Sequence, residues 1–221
     1  MAIKRKRHFW RARCKIEVNN IAFAVSTGKK KQVGTKEYYE VARGKWREDD
    51  NILFDPAFRL KGWVKEQLAV AATESAADAA RHGLFVKNIV KGKPTEGYQK
   101  IGTVKEFSGL NEKSYPGDPE ELMFDGKPFK KGKTKFPLPY HDYVRGKNGT
   151  VNQWWYELNK PLTFEVEITS FARRLFPETI KTLLETIGEQ KGFGDRHSNG
   201  RNGLFRLKDW KVIEEKELEL P

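Results

Sequence analysis

The sequence predicts an α+β fold, and three observations predict it. Two passages of the chain read strand, then helix, then strand. Between them, over about 91–150, regular periodicity fades and proline and glycine recur. Hydrophobic residues make up 38% and aromatic residues 12% of a 221-residue chain, enough for a sizeable core. Duplicated strand–helix–strand halves point to a ferredoxin-like or RRM-like sheet with helices on one face, carrying an inserted irregular subdomain of short strands and loops. The domain reading is a core of 1–90 and 151–213, a thumb-like insertion at 91–150, and an acidic tail at 214–221.

The first strand is predicted over 8–18. Trp10, Ala12, Cys14, Ile16 and Val18 fall on one face, while Phe9, Arg11, Arg13, Lys15 and Glu17 fall on the other. This is a period of two with one apolar and one basic face. Asn19-Asn20 reads as a turn, Ile21–Val25 as a second strand, and Tyr38–Ala42 as a third. Asp55 before Pro56 marks a helix start, with the acid at the cap and proline at the first helical position. Leu60, Trp63, Val64, Leu68 and Ala71 then recur at helical spacing. The alanine-rich stretch 69–80 prolongs this helix or begins another, and His82-Gly83 ends it. Leu162, Phe164, Val166 and Ile168 alternate with polar residues in a further strand. Pro177 opens a helix whose buried face carries Ile180, Leu183, Leu184 and Ile187. A glycine-rich loop and a last strand over 204–213 follow, and the acidic tail EEKELELP is expected to fray.

Charge narrows the function. The formal net charge is +12. Residues 1–47 carry 14 Lys/Arg against 3 acids, a net +11, and residues 48–221 carry 28 against 27, a net +1. Such lopsidedness points to a polyanion meeting one surface. Within the insertion, 127–147 holds 7 Lys/Arg and 1 acid, Arg145 among the basic residues. The single cysteine, Cys14, excludes a disulfide framework and a multi-cysteine metal site. No HxH or HxxxH pair occurs among His8, His82, His141 and His197, so neither metal nor cofactor is expected. No apolar run approaches membrane length and no secretory leader is readable, so a cytoplasmic location without a membrane partner is expected.

The segment GFGDRHSNGRNG, residues 192–203, is the most informative. Gly192, Gly194, Gly200 and Gly203 let the backbone approach a ligand, and Arg196, His197, Ser198, Asn199 and Arg201 can meet phosphates and sugars. Its plain alternative is a decorated helix-to-strand turn. Three nucleotide or RNA signatures fail nearby. The dinucleotide pattern needs glycine where His197 stands, and the RNP1 opening Lys191-Gly192-Phe193-Gly194 is broken by Asp195 and Arg196. Gly126 to Gly132-Lys133-Thr134 has one intervening residue too many for a P-loop and runs into KFPLPY, so nucleotide hydrolysis is rejected.

The basic arm, Lys4, Arg5 and Arg7, leads into the strand whose outer face carries Arg11 and Arg13. Cations there would neutralise phosphates, and Trp10, on the other face, reads as core. Lys29, Lys30 and Lys31 in the following loop, together with Lys61, extend the candidate surface.

The order helix, glycine loop with embedded arginine and serine, final strand resembles the RAMP superfamily, the RRM-like proteins of CRISPR effector complexes and their phage-encoded relatives. The family's loop has the form GxGxxR…G, and here it reads Gly192-Phe193-Gly194-Asp195-Arg196, then Gly200 and Gly203. Asp55-Pro56 to Leu60-Lys61-Gly62 is similar to a helix-start segment of the backbone subunits, departing at Phe58 and Arg59 where small residues are usual. The resemblance implies a non-catalytic subunit that grips the backbone of single-stranded RNA, or single-stranded DNA, with copies of itself or other complex subunits in a row, in a bacterial or phage-infected cell. Some relatives are metal-independent endoribonucleases, which would make His197 or His8 the general acid or base. A third class, a phage structural or inhibitory protein meeting an acidic protein, also fits the charge.

Overall fold

The computed structural model describes residues 6–24, 30–41, 47–71, 74–110, 115, 118–124, 126–130, 137–146, 149–172, 175–193 and 203–219. The chain is α+β. It opens with β1 (Lys6–Val18), β2 (Ile21–Ala24), β3 (Lys30–Val33), β4 (Lys36–Val41), β5 (Arg47–Glu48) and β6 (Asn51–Phe54). Helices α1 (Pro56–Ala71) and α2 (Glu74–Gly83) lead to β7 (Leu84–Val90), β8 (Lys93–Thr95), β9 (Gln99–Thr103) and β10 (Phe107–Ser108). Then come β11 (Leu122–Phe124), β12 (Lys127–Pro128), β13 (Tyr140–Gly146), β14 (Gly149–Leu158) and β15 (Leu162–Ser170). Helix α3 (Pro177–Gln190) and the long β16 (Phe205–Glu219) complete it.

The main sheet has the order β16-β1-β15-β7-β8, each neighbour antiparallel to the next. The alternation read in β1 decides its faces. Trp10, Ala12, Cys14, Ile16 and Val18 are buried, as are Leu162, Phe164, Val166 and Ile168 of β15. Leu60, Trp63, Val64 and Leu68 of α1 and Ile180, Leu184 and Ile187 of α3 join the same hydrophobic cluster, which places the helices on that side. Arg11, Arg13 and Lys15 therefore stand on the face away from the helices.

Asp55 caps α1 as its sequence position predicts: its Oδ1 accepts from the amide of Phe58 at 3.1 Å. Asn88 of β7, 1% exposed, secures the same helix end. Its Oδ1 accepts from the amide of Ala57 at 3.0 Å, and its Nδ2 donates to Asp55 Oδ1 at 2.8 Å and to the Gly97 carbonyl at 2.9 Å. The alanine stretch divides into α1 and a separate α2.

Of the strands after 91, β8 pairs with β7 in the main sheet, whereas three others pair with strands lying between β1 and α1. β9 pairs with β6, β11 runs parallel to β4, and β14 pairs with both β2 and β13. A Phe23–Phe54–Phe164 series of ring contacts ties these sheets to the main one.

The tail differs from expectation. Instead of fraying, 214–219 continues β16 along β1, in the register Lys6↔Glu219, His8↔Glu217, Trp10↔Glu215 and Arg11↔Glu214. The physical reason is charge: an acidic strand end lies antiparallel to a basic strand start, and opposite charges directly across a ladder attract. Among the described residues, no helix is long and apolar enough to cross a membrane.

Candidate nucleic-acid interface

The open face of the main sheet carries a laced charge network. Glu167 of β15 stands opposite Arg13 in the ladder, with only 8% of its side chain exposed. Arg13 Nε reaches its Oε2 at 3.0 Å, and Arg11 Nη1 lies 4.0 Å from its Oε1. Arg11 Nη2 also meets Glu214 Oε2 at 3.1 Å. Lys15 lies 3.8 Å from Glu165, and Lys208 lies 2.8 Å from Glu17. Glu214 further accepts from Lys216 at 2.7 Å, and that bond, followed by the charges of Lys216 and Arg11, holds its carboxyl below the usual range.

The cations are visible in the sequence, and their partners are not. Arg11 and Arg13 are positioned: Glu214 holds the first guanidinium and the nearly buried Glu167 holds the second, and both carboxylates offset part of their charge. The signal was present in the sequence, since Glu165 and Glu167 alternate on the outer face of β15. Only the register shows that they face Arg13 and Lys15.

The glycine loop is placed by its two ends. The amide of Phe193 donates to the Gly203 carbonyl at 2.6 Å, and the Gly203 amide donates to Asn20 Oδ1 at 3.1 Å. The stem of 194–202 thus sits at the turn that ends β1. Gly203 has φ +72°, and a Cβ there would lie 1.8 Å from the Phe193 oxygen, so only glycine fits. Gly192, buried, has φ +65°. Phe193 is fully buried among Phe54, Trp63, Phe164 and Phe205, with ring centroids 5.0–5.7 Å away. The aromatic residue of GFGD is an anchor for the loop, not a ligand contact.

The remaining candidates among the described residues are dispersed. Lys30 lies 3.3 Å from Glu37 and 5.2 Å from the Tyr39 ring centre; the hydrogen bond to Glu37 and the charge of Tyr39 hold its pKa up. Lys31 lies 3.7 Å from Glu40. Both belong to the β3–β4 hairpin rather than to the main sheet. Lys61, on α1, lies 5.3 Å from the Phe85 ring centre. Arg7 and Arg145 are placed by backbone alone, opposite Leu218 and Thr150. Lys4, Arg5, Lys29, Gly194, Arg196, His197, Ser198, Asn199 and Arg201 lie outside the described residues.

His8 is on the helix side of β1, by the same alternation that buries Trp10. Its Nε2 meets Glu215 at 2.9 Å and its ring lies 5.2 Å from that of Phe176. Arg11 and Arg13, the charges a phosphoryl transition state would need, stand on the opposite face. Among the described residues, no group of three or more His, Cys, Asp or Glu could hold a metal ion. No known family model matches the chain, and no curated protein matches it either.

Proposed function

We propose that this chain is a non-catalytic nucleic-acid-binding subunit, similar to the RAMP superfamily, that grips the backbone of single-stranded RNA or single-stranded DNA. Copies of itself or companion subunits stand in a row along the strand, in the cytoplasm of a bacterial or phage-infected cell. The observation that carries this reading is the place of the glycine loop's stem. It is hydrogen-bonded to Asn20, at the end of the same strand whose open face presents Arg11, Arg13 and Lys15. A loop containing Arg196 and Arg201 thereby begins and ends where that strand ends, its Phe193 anchored in the core on the helix side.

The strand order supports the fold half of the reading. Numbered along the chain, β1, β7, β15 and β16 stand 4-1-3-2, with helices between the first and second and between the third and fourth. A ferredoxin-like, RRM-like core has this arrangement. Held guanidinium groups suit backbone contact, because their orientation is set before a phosphate arrives.

The test is the nucleic acid that travels with the protein. Its type and length are determined after purification and limited nuclease digestion. Protected single-stranded fragments increasing by a constant step support the proposal. A protein that carries no nucleic acid, binds no added oligonucleotide, and pulls down an acidic protein insensitively to nuclease overturns it.

A further inference from the structure

The long strand β16 closes one end of the main sheet. One edge of it pairs with β1, and among the described residues no strand pairs with the other. Fifteen residues of free edge are a template for another strand, and proteins commonly blunt such an edge with proline or lysine. β16 has no proline, and its charges are sorted by sign. Residues 205–213 hold three cations against Asp209, and residues 214–219 hold four acids against Lys216. An antiparallel copy of the same strand lays each half on its opposite, whereas a parallel copy lays like on like.

The ladder with β1 slips by one residue at Ile213, which has no partner in it. Such a bulge resets the alternation of side chains. Lys211, opposite Arg13, and Glu214, opposite Arg11, therefore both stand on the open face. Asp209, opposite Lys15, and Lys216, opposite Phe9, share that face. Directly opposed residues in a sheet lie on the same face, so without the bulge Lys211 could not face Glu214 of another copy. Lys211 and Asp209 are also exposed, and among the described residues neither makes an ion pair. Arg13 and Lys15, across the ladder from them, are taken up by Glu167 and Glu165. The like charge of Arg13 leaves Lys211 in want of an acid from outside the chain.

We propose that β16 is a dimerisation edge: two copies pair antiparallel through it about a twofold axis at Val212-Ile213, joining two five-stranded sheets into one. Lys211 then faces Glu214 of the second copy, Asp209 faces Lys216 of the second copy, and the twofold repeats both pairs. The open faces of both copies lie on the same side of the joined sheet. The inference stands apart from the nucleic-acid-binding reading above.

The experiment is sedimentation of the full chain, freed of nucleic acid by nuclease, over a range of concentrations, each variant being checked for native circular dichroism. The wild-type chain is expected to dimerise. Lys211→Glu opposes like charges at two symmetry-related places and should weaken the dimer by about tenfold or more. Combining Lys211→Glu with Glu214→Lys restores the complementarity and most of the affinity. Ile213→Cys, at the axis, should cross-link two chains on mild oxidation, while the buried Cys14 stays out of reach. Arg206→Cys, whose two copies would stand about 40 Å apart, should not. A wild-type chain that sediments as a monomer at every concentration overturns the proposal. A dimer that Lys211→Glu leaves intact, or that Ile213→Cys does not cross-link, forms elsewhere on the surface and overturns it too. If Glu214→Lys unfolds the chain by releasing Arg11, the cross-linking of Ile213→Cys decides alone.

Discussion

The backbone amide of Phe193 donates to the carbonyl of Gly203 at 2.6 Å, closing the glycine loop at its base. The Gly203 side is locked by its φ of +72° and by the 1.8 Å that would separate a Cβ from the Phe193 oxygen. Gly203→Ala is expected to lower stability by more than about 2 kcal/mol in urea unfolding. Gly34 is the control: its φ is +65°, but nothing lies within 4 Å of a Cβ there. Gly34→Ala should cost about 1 kcal/mol, the left-handed penalty alone.

Asn88 links strand, helix and turn through three hydrogen bonds from one buried amide. Asn88→Leu fills the space but leaves the Ala57 amide and the Gly97 carbonyl without that partner. A loss of about 2–3 kcal/mol is expected. Asn88→Asp keeps the acceptor for Ala57 but sets a second carboxylate against Asp55, so its deficit should shrink as pH falls below the carboxylate range. Thermal melts at several pH values check both outcomes.

Glu167 restrains Arg13 and, 4.0 Å from Arg11, offsets the charge of both. Glu167→Gln keeps the shape and removes the charge. Stability is expected to drop by about 1–2 kcal/mol, discounted because both arginines are partly exposed. Oligonucleotide affinity should rise, and the salt slope should steepen by about 0.7 if one more phosphate is neutralised. An affinity that falls in a folded Glu167→Gln protein would mean that orientation outweighs charge at this face.

Burial pushes the Cys14 thiol from its ordinary 9.0 up to about 12, with Asp209 adding to the shift. Burial likewise raises Tyr115 from 10.0 to about 12. Both groups stay protonated in the folded chain while ionising in the unfolded one. Above pH 9 the unfolded state therefore binds fewer protons, and stability falls with pH up to about 12. Urea midpoints across that interval should decline steadily. Thiol labelling of the native protein at pH 8 should be slow, because the thiolate is the reactive form.

The alternation of β1 and β15, the Asp55-Pro56 helix start and the apolar stripe of α3 were legible because each follows from local chemistry. Their periods match the observed burial of Trp10, Phe164 and Ile180. The tail was not legible: EEKELE has an acidic composition typical of a fraying end, and it becomes strand only beside the basic start of β1. The same limit applied to Arg13 and Glu167, 154 residues apart, whose pairing is a matter of register. Phe193 stood out as part of a loop motif, yet its place among Phe54, Trp63, Phe164 and Phe205 depends on elements from across the chain. Phe9, Phe85 and Phe171 lie far apart in sequence and meet only through strand order.

The most direct measurement is the affinity of the full chain for a labelled oligouridylate between about 50 and about 200 mM salt. The account predicts that log affinity falls linearly with log salt at a slope of about −2 or steeper, as for three or more neutralised phosphates on a single strand. A slope near zero, or no binding at the lowest salt, would contradict it.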